Sequence, residues 1–259
     1  MKTSVGLIFA LVASVMAPAQ QEGFHRFEYA GYEDTPLIPG TSFRVHQQDR
    51  PQAPYVNPGP NRRDLGTPAP TDATVLFDGS TLGQFQQTTW QIKEGVLVAG
   101  EGSLVTQSAF GDCQLHLEWR APAPARGEPG NMGNSGVFFM GLYELQIYDS
   151  FSAKIYADGS AAAIYGQTPP LVNACARPGQ WQSFDVIFTA PVFKNGKLET
   201  GGRITVLHND VLVHNHTKIL GPTGHRVALP YQAHAPQLPL MIQGHGSPVA
   251  FRNIWIRKL

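Results

Sequence analysis

Residues 133–151, "GNSGVFFMGLYELQIYDSF", decide how the chain is read. Two short apolar runs meet at Gly141, and if Leu142 to Tyr148 form a strand, their side chains alternate across it. Tyr143, Leu145 and Ile147 then face one way and Glu144 and Gln146 the other. The first face is core. The second carries an acid and an amide between aromatic residues, where a merely solvated face usually shows Lys, Thr or Ser.

The segments on either side of this stretch have the same strand texture. "CQLHLEWR" alternates strictly, with Cys113, Leu115, Leu117 and Trp119 opposite Gln114, His116, Glu118 and Arg120. "VLFDG" reads as a strand running into a turn, and "WQIKEGVLVAG" as a hairpin turning near Glu94-Gly95. Further strands are expected at "WQSFDVIFTA", "RITVLHNDVLVHNH" with its hairpin at Asn209-Asp210, "LPLMIQGH" and "VAFRNIWIRKL". The last of these should pair with an early strand and give Phe251, Trp255 and Ile256 to the core, with Arg252 and Asn253 satisfying backbone groups. Helical periodicity is nearly absent. Many short strands between Gly, Pro and Asn turns predict an all-β, two-sheet sandwich. The irregular excursion "SFSAKIYADGSAAAIYGQTPPLVNACARPGQ" interrupts the strands; Tyr156, Tyr165 and nearby Trp181 argue that it is ordered and forms a wall of a site.

At 259 residues and 42% hydrophobic content the chain can bury a large core. Its 19 basic and 19 acidic side chains balance, which leaves no electrostatic footprint for nucleic acid. The opening "MKTSVGLIFALVASVMAPAQ" has Lys2, an apolar stretch and a small-residue ending, the pattern of a signal peptide over residues 1–19. No later stretch approaches the length of a membrane span. A secreted or periplasmic bacterial protein is therefore expected. Residues 20–73 hold so many prolines that helix and sheet interior are both precluded, which predicts an extended arm ahead of a domain at 74–259. Such an arm can wrap a second subunit as readily as its own domain. Cys113 and Cys175 read equally as a disulfide or as two buried thiols.

Several segments together, "LFDG", "GDCQLHLEWR", "GNSGVFFMGLYELQIYDS", "YADGSAAAIYGQTPPLVNA", "PGQWQSFDVIF" and "IQGHGSPVAFRNIWIRKL", resemble the 3-keto-disaccharide hydrolase family, in order, from Thr74 to the last residue. The Pro-rich arm resembles the leader of its secreted bacterial members. The resemblance implies a concanavalin-like jelly roll whose curved sheet presents a groove to a sugar. It also implies cleavage of glycosides already oxidised to a ketone at C3, a carbohydrate substrate and no cofactor.

A ketone at C3 acidifies the proton on C2, so the site needs a base for that proton, a donor for the C3 oxyanion and an acid for the leaving oxygen. It does not need the paired carboxylates of ordinary glycosidases. Glu144 is the candidate base, Arg120 the candidate clamp on the oxyanion and His245 the candidate acid, since imidazole titrates near neutral pH. Gln146, Gln243 and Asn134 are candidates for binding hydroxyls, Tyr165 for stacking on a ring and Asp149 for anchoring substrate or capping its own loop. Glu144 and Arg120 read alternatively as an ion pair across neighbouring strands, and His245 as a turn residue. His208, His214 and His216 gather on one hairpin, where an exposed polar face is expected in preference to a metal site. The same sandwich would also suit a carbohydrate-binding module without catalysis, or a scaffold whose arm docks a partner.

Overall fold

The computed structural model describes residues 24–59 and 68–259; the expected signal peptide lies outside the described residues. In chain order the strands are β1 (Phe27–Glu28), β2 (Thr74–Phe77), β3 (Gln91–Lys93), β4 (Val96–Val98), β5 (Leu104–Phe110) and β6 (Cys113–Arg120). There follow β7 (Ser135–Phe139), β8 (Tyr143–Ile147), β9 (Ala153–Lys154), β10 (Gln182–Thr189), β11 (Val192–Lys194) and β12 (Lys197–Thr200). The last four are β13 (Arg203–His208), β14 (Val211–Lys218), β15 (Leu238–Ile242) and β16 (Ala250–Lys258). Two short 3-10 turns, at Pro129–Asn131 and Ala157–Gly159, are the helical elements among the described residues. None is long and apolar enough to cross a membrane.

An eight-stranded sheet runs β14-β13-β10-β6-β16-β4-β3, with β2 also paired to β16, and faces a four-stranded sheet in the order β5-β15-β7-β8. The fold is the expected all-β jelly-roll sandwich. Alternation supplies its core, with Leu115, Leu117 and Trp119 of β6 and Phe184, Val186 and Phe188 of β10 meeting Val137, Phe139, Leu145 and Ile147 of the smaller sheet. Phe139 stacks on Phe188 across the gap at 4.7 Å. Each such side chain contributes ~1.5–3 kcal/mol by leaving water. The hairpins turn where they were expected, with positive φ at Glu94 and Gly95 and at Asn209 and Asp210, and Met140-Gly141 makes the hinge between β7 and β8. β16 closes the sheet by pairing with the early strand β2.

Two expectations are corrected. A bulge between Arg252 and Trp255, with Asn253 at φ 49°, turns Trp255 out of the core; its ring stacks on His116 instead, 5.3 Å away on the opposite face of the sheet. Arg252 Nε donates to Glu118 at 2.6 Å and Asn253 Nδ2 at 2.9 Å. Burial opposes the charge on Glu118, yet these bonds and that from His116 hold its carboxyl down at about 2. Lastly, His208 and His214 are buried and bonded within the protein, to Gln182 and to the Ala162 carbonyl, and extra residues in β14 at its register shifts against β13 part His214 from the exposed His216. Cys113 and Cys175 are both buried free thiols, and burial pushes the Cys113 thiol up to about 12.

The excursion from Ser150 to Gln180 is ordered. It runs along the free edge of β8, where Gln146 N donates to the Ala163 carbonyl at 2.9 Å and Ala162 N to the Gln146 carbonyl at 2.8 Å. The arm packs over this excursion. β1 pairs in parallel with β9, and His46 N donates to Asp158 Oδ2 at 2.9 Å. Arg50 lies 3.6 Å from the same oxygen, and His46 Nδ1 is 3.4 Å from Oδ1 without hydrogen-bond alignment. Asp158 and the His46 side chain are fully buried, so the arm is held by a desolvated carboxylate that has no water to replace it.

Asp158→Asn leaves Arg50 with an uncompensated buried charge and should cost about 3 kcal/mol. Limited proteolysis should then cut between residues 29 and 50 faster than in the parent protein; equal cutting rates would show that other contacts hold the arm.

Candidate active site

Glu144 and Gln146 leave β8 on the face turned away from the core, as the alternation demands. On β7, Phe138 lies opposite Glu144 and Gly136 opposite Gln146. The Glu144 carboxyl folds down over Gly136, where a Cβ would stand 2.3 Å from Oε1, so only glycine leaves room for it. Gln243, just past β15, hangs its backbone N–H on the Gly136 carbonyl at 2.8 Å and joins the same face. Asn134 enters from the start of β7. Two loops raise the walls. The excursion supplies Tyr165, whose N–H donates to the Glu144 carbonyl at 3.2 Å, and the loop after β14 supplies Thr223 and His225.

The result is a cavity of about 240 Å³ over the four-stranded sheet. It is just below the ~300–1,000 Å³ of typical small-molecule sites, so it admits one ring and not a chain. Six of the eight sequence candidates line it, namely Glu144, Gln146, Asn134, Gln243, Tyr165 and His245.

The other two lie elsewhere. Arg120 sits on β6, in the other sheet, with its guanidinium carbon 4.6 Å from the Trp181 ring, which Arg252 approaches at 4.2 Å. The expectation that Arg120 converges with Glu144, as an oxyanion clamp or as an ion pair, is therefore corrected. Trp181 goes with it and forms no part of the cavity wall. Asp149 is buried and accepts the Ser152 backbone N–H at 3.0 Å, which makes it a cap for the excursion.

The electrostatics of the cavity centre on Glu144. Its side chain is 5% exposed, and among the described residues its carboxyl has no hydrogen-bond or ion-pair partner. Burial alone pushes it up to about 8. Gln146 Oε1 is likewise buried without a hydrogen-bond partner among the described residues. His245 Nδ1 lies 2.9 Å from Asn131 Oδ1, while Asn131 Nδ2 donates to the His245 carbonyl at 3.3 Å. That pair of bonds sets Nδ1 as the donor and leaves Nε2 to take up or release a proton. His225 Nδ1 lies 3.0 Å from the Tyr165 hydroxyl; burial and the neighbouring cationic side chains lower its pKa. His225 and Thr223 escape the reading of the sequence, although "TGHR" sets a His after a Gly much as "QGHG" does at His245.

One ionisable carboxyl without a counter-charge among the described residues, three carboxamides, two imidazoles and a phenol have the composition that suits a neutral polyhydroxylated ring. The profile of the 3-keto-alpha-glucoside-1,2-lyase-like domain matches residues 72–257. A "putative glycosyl hydrolase" from Parabacteroides distasonis ATCC 8503 is 40% identical, with a TM-score of 0.71 over 74% of this chain and 85% of that one. A second "putative glycosyl hydrolase" from the same organism, 18% identical with a TM-score of 0.51, covers 73% of this chain and 94% of its own and shares the fold. No curated protein matches the sequence. The chain belongs to the 3-keto-alpha-glucoside-1,2-lyase-like family, a carbohydrate-active domain of the glycosyl-hydrolase type.

Proposed function

We propose that this protein cleaves 3-keto-glycosides by eliminating the C1 substituent and then adding water. The observation that carries the reading is the unpaired, buried carboxyl of Glu144 on the floor of a one-ring cavity. A site that only bound sugar would gain nothing from burying an acid without a partner, since burial raises the cost of charging it. A base that must remove a carbon-bound proton does gain, because the same desolvation strengthens it.

In the proposed sequence Glu144 takes the C2 proton, and the C2–H electron pair moves toward the C3 carbonyl to give an enolate. The enolate reforms the carbonyl and expels the C1 oxygen, which leaves with a proton from the His245 imidazolium. A C1=C2 double bond conjugated with the ketone remains. Water then adds at C1, His245 recovers a proton from it, and the Glu144 carboxylic acid returns its proton to C2. The net change is hydrolysis. With Arg120 in the other sheet, the C3 oxygen is met by neutral amide N–H groups, for which Gln146, Gln243 and Asn134 are the candidates.

Four outcomes follow from this role of Glu144. Glu144→Gln should reduce aglycone release from a 3-keto-glucoside by ~10²–10⁴-fold, while the unoxidised parent glycoside stays uncleaved in both proteins; full turnover by the variant would end the proposal. Because the folded-state pKa of Glu144 is raised, its protonated form stabilises the fold at low pH, and that contribution is lost as pH rises from about 4.5 to about 8. The Gln variant lacks this loss and should melt higher than the parent at pH 8, as a thermal melt across that range would show. For the same reason kcat/KM of the parent should climb through an alkaline limb near 8, absent from the residual activity of the variant. Gly136→Ala puts a methyl group against the Glu144 carboxyl and should lower kcat ~10²-fold with little change in KM. Unaltered kcat would show that the carboxyl need not lie where Gly136 lets it.

A further inference from the structure

The arm lies ahead of the family-matched residues 72–257, yet it reaches the mouth of the cavity. Tyr32 Oη stands 3.4 Å from His225 Nε2, on the opposite side of the imidazole from Tyr165. Tyr29 Oη is 3.0 Å from Tyr32 Oη, and its ring packs on Gly130, where a Cβ would meet Cδ2 at 3.3 Å. The next residue, Asn131, holds His245. The two tyrosines therefore span from one cavity-lining histidine to the other.

Both rings keep an accessible surface. Tyr29 is 37% exposed and Tyr32 partly so, whereas Tyr156 beneath them is buried, with its centroid 6.2 Å from Tyr29 and 6.1 Å from Tyr32. The shelf is held from behind. The His46 ring packs at a tilt on Tyr156, 4.0 Å between centroids, and its backbone N–H is tied to Asp158, so the segment that carries Tyr32 is fixed to the excursion. Arg226 stands 4.2 Å from the Tyr32 ring and bonds Asp34 at 2.8 Å, which fixes the outer side of that tyrosine.

A cavity that admits one ring leaves the leaving group of a glycoside outside it, at the rim. We propose that Tyr29 and Tyr32 form the subsite for that leaving group and select aglycones that are themselves rings with an apolar face, a phenol or a second pyranose. The proposal rests on cleavage of a 3-keto-glycoside in the cavity. Tyrosines suit the role because they give a rigid apolar face at little entropic cost together with a hydroxyl edge. The arm thereby acts as a specificity element added to the family domain.

The test compares methyl, phenyl and glucosyl 3-keto-glucosides as substrates for the parent protein, the Tyr29→Ala/Tyr32→Ala double variant and the corresponding double Phe variant. The Ala variant should lose about tenfold in kcat/KM on the phenyl or glucosyl substrate, or on both, and keep its rate on the methyl substrate. The Phe variant should retain most of the parental preference. Which of the two ring aglycones responds identifies the leaving group. An equal loss on all three substrates would mean that the arm only holds the site together, and no loss on any would mean that the shelf is not used; either overturns the proposal. Calorimetry with unoxidised methyl and phenyl glucosides reads the shelf apart from the chemistry. A phenyl preference that the Ala variant abolishes supports the subsite even if no keto-glycoside is turned over, and the absence of any preference in the parent protein counts against it.

Discussion

The structure turns on burying one carboxyl group without a counter-charge. Glu144 stands on an edge strand of the smaller sheet, folded over a glycine and walled in by two loops. Desolvation of an acid is costly, and the cost is met by keeping the proton on through neutral pH. Everything around the group serves that condition. The excursion along β8 shuts off the strand's free edge, and the loop after β14 presents the Thr223 hydroxyl to the Glu144 backbone N–H at 3.0 Å. No Lys or Arg lines the described cavity to bring the pKa back down.

The contrast with Glu118 shows how much the surroundings decide. Both are strand glutamates with buried side chains, one in each sheet. Glu118 receives Arg252, Asn253 and His116 and is held at about 2, while the Glu144 carboxyl receives no partner among the described residues and rises to about 8. The first is a structural ion cluster that ties β6 to the bulged β16. The second has no such partners among the described residues and lines the cavity. A charge that is already satisfied cannot do proton chemistry at neutral pH, so the cluster on the outer face is poorly suited to it despite holding more ionisable groups.

The arm extends the same logic beyond the family domain. Its prolines keep it from joining either sheet, and its polar anchors, His46 and Arg50 on Asp158, bring Tyr29 and Tyr32 to the rim. A segment with almost no regular secondary structure is thereby placed through buried charge and aromatic packing. Flexible linkers lack such contacts.

What was legible in the sequence was whatever depends on neighbours along the chain. Period-two alternation placed Glu144 and Gln146 on the face away from the core, and turn residues such as Asn209-Asp210 placed the hairpins, because both follow from local backbone geometry. The resemblance to a known family added the chemistry that singled out Asn134, Gln243 and His245. Three features were not legible. Alternation says which side of a strand Arg120 occupies but not which sheet the strand joins, so its distance from Glu144 was open until the sheets were assembled. A single extra residue in β16 reversed Trp255, since a bulge shifts the phase of every later side chain. His225, Thr223 and the arm's tyrosines reach the cavity through loop paths fixed by contacts distant in sequence, 79 residues apart between Glu144 and Thr223 and 193 between Tyr32 and His225. Sequence settled the faces of strands; only tertiary packing, which sets sheet membership and loop docking, settled which of those faces meet.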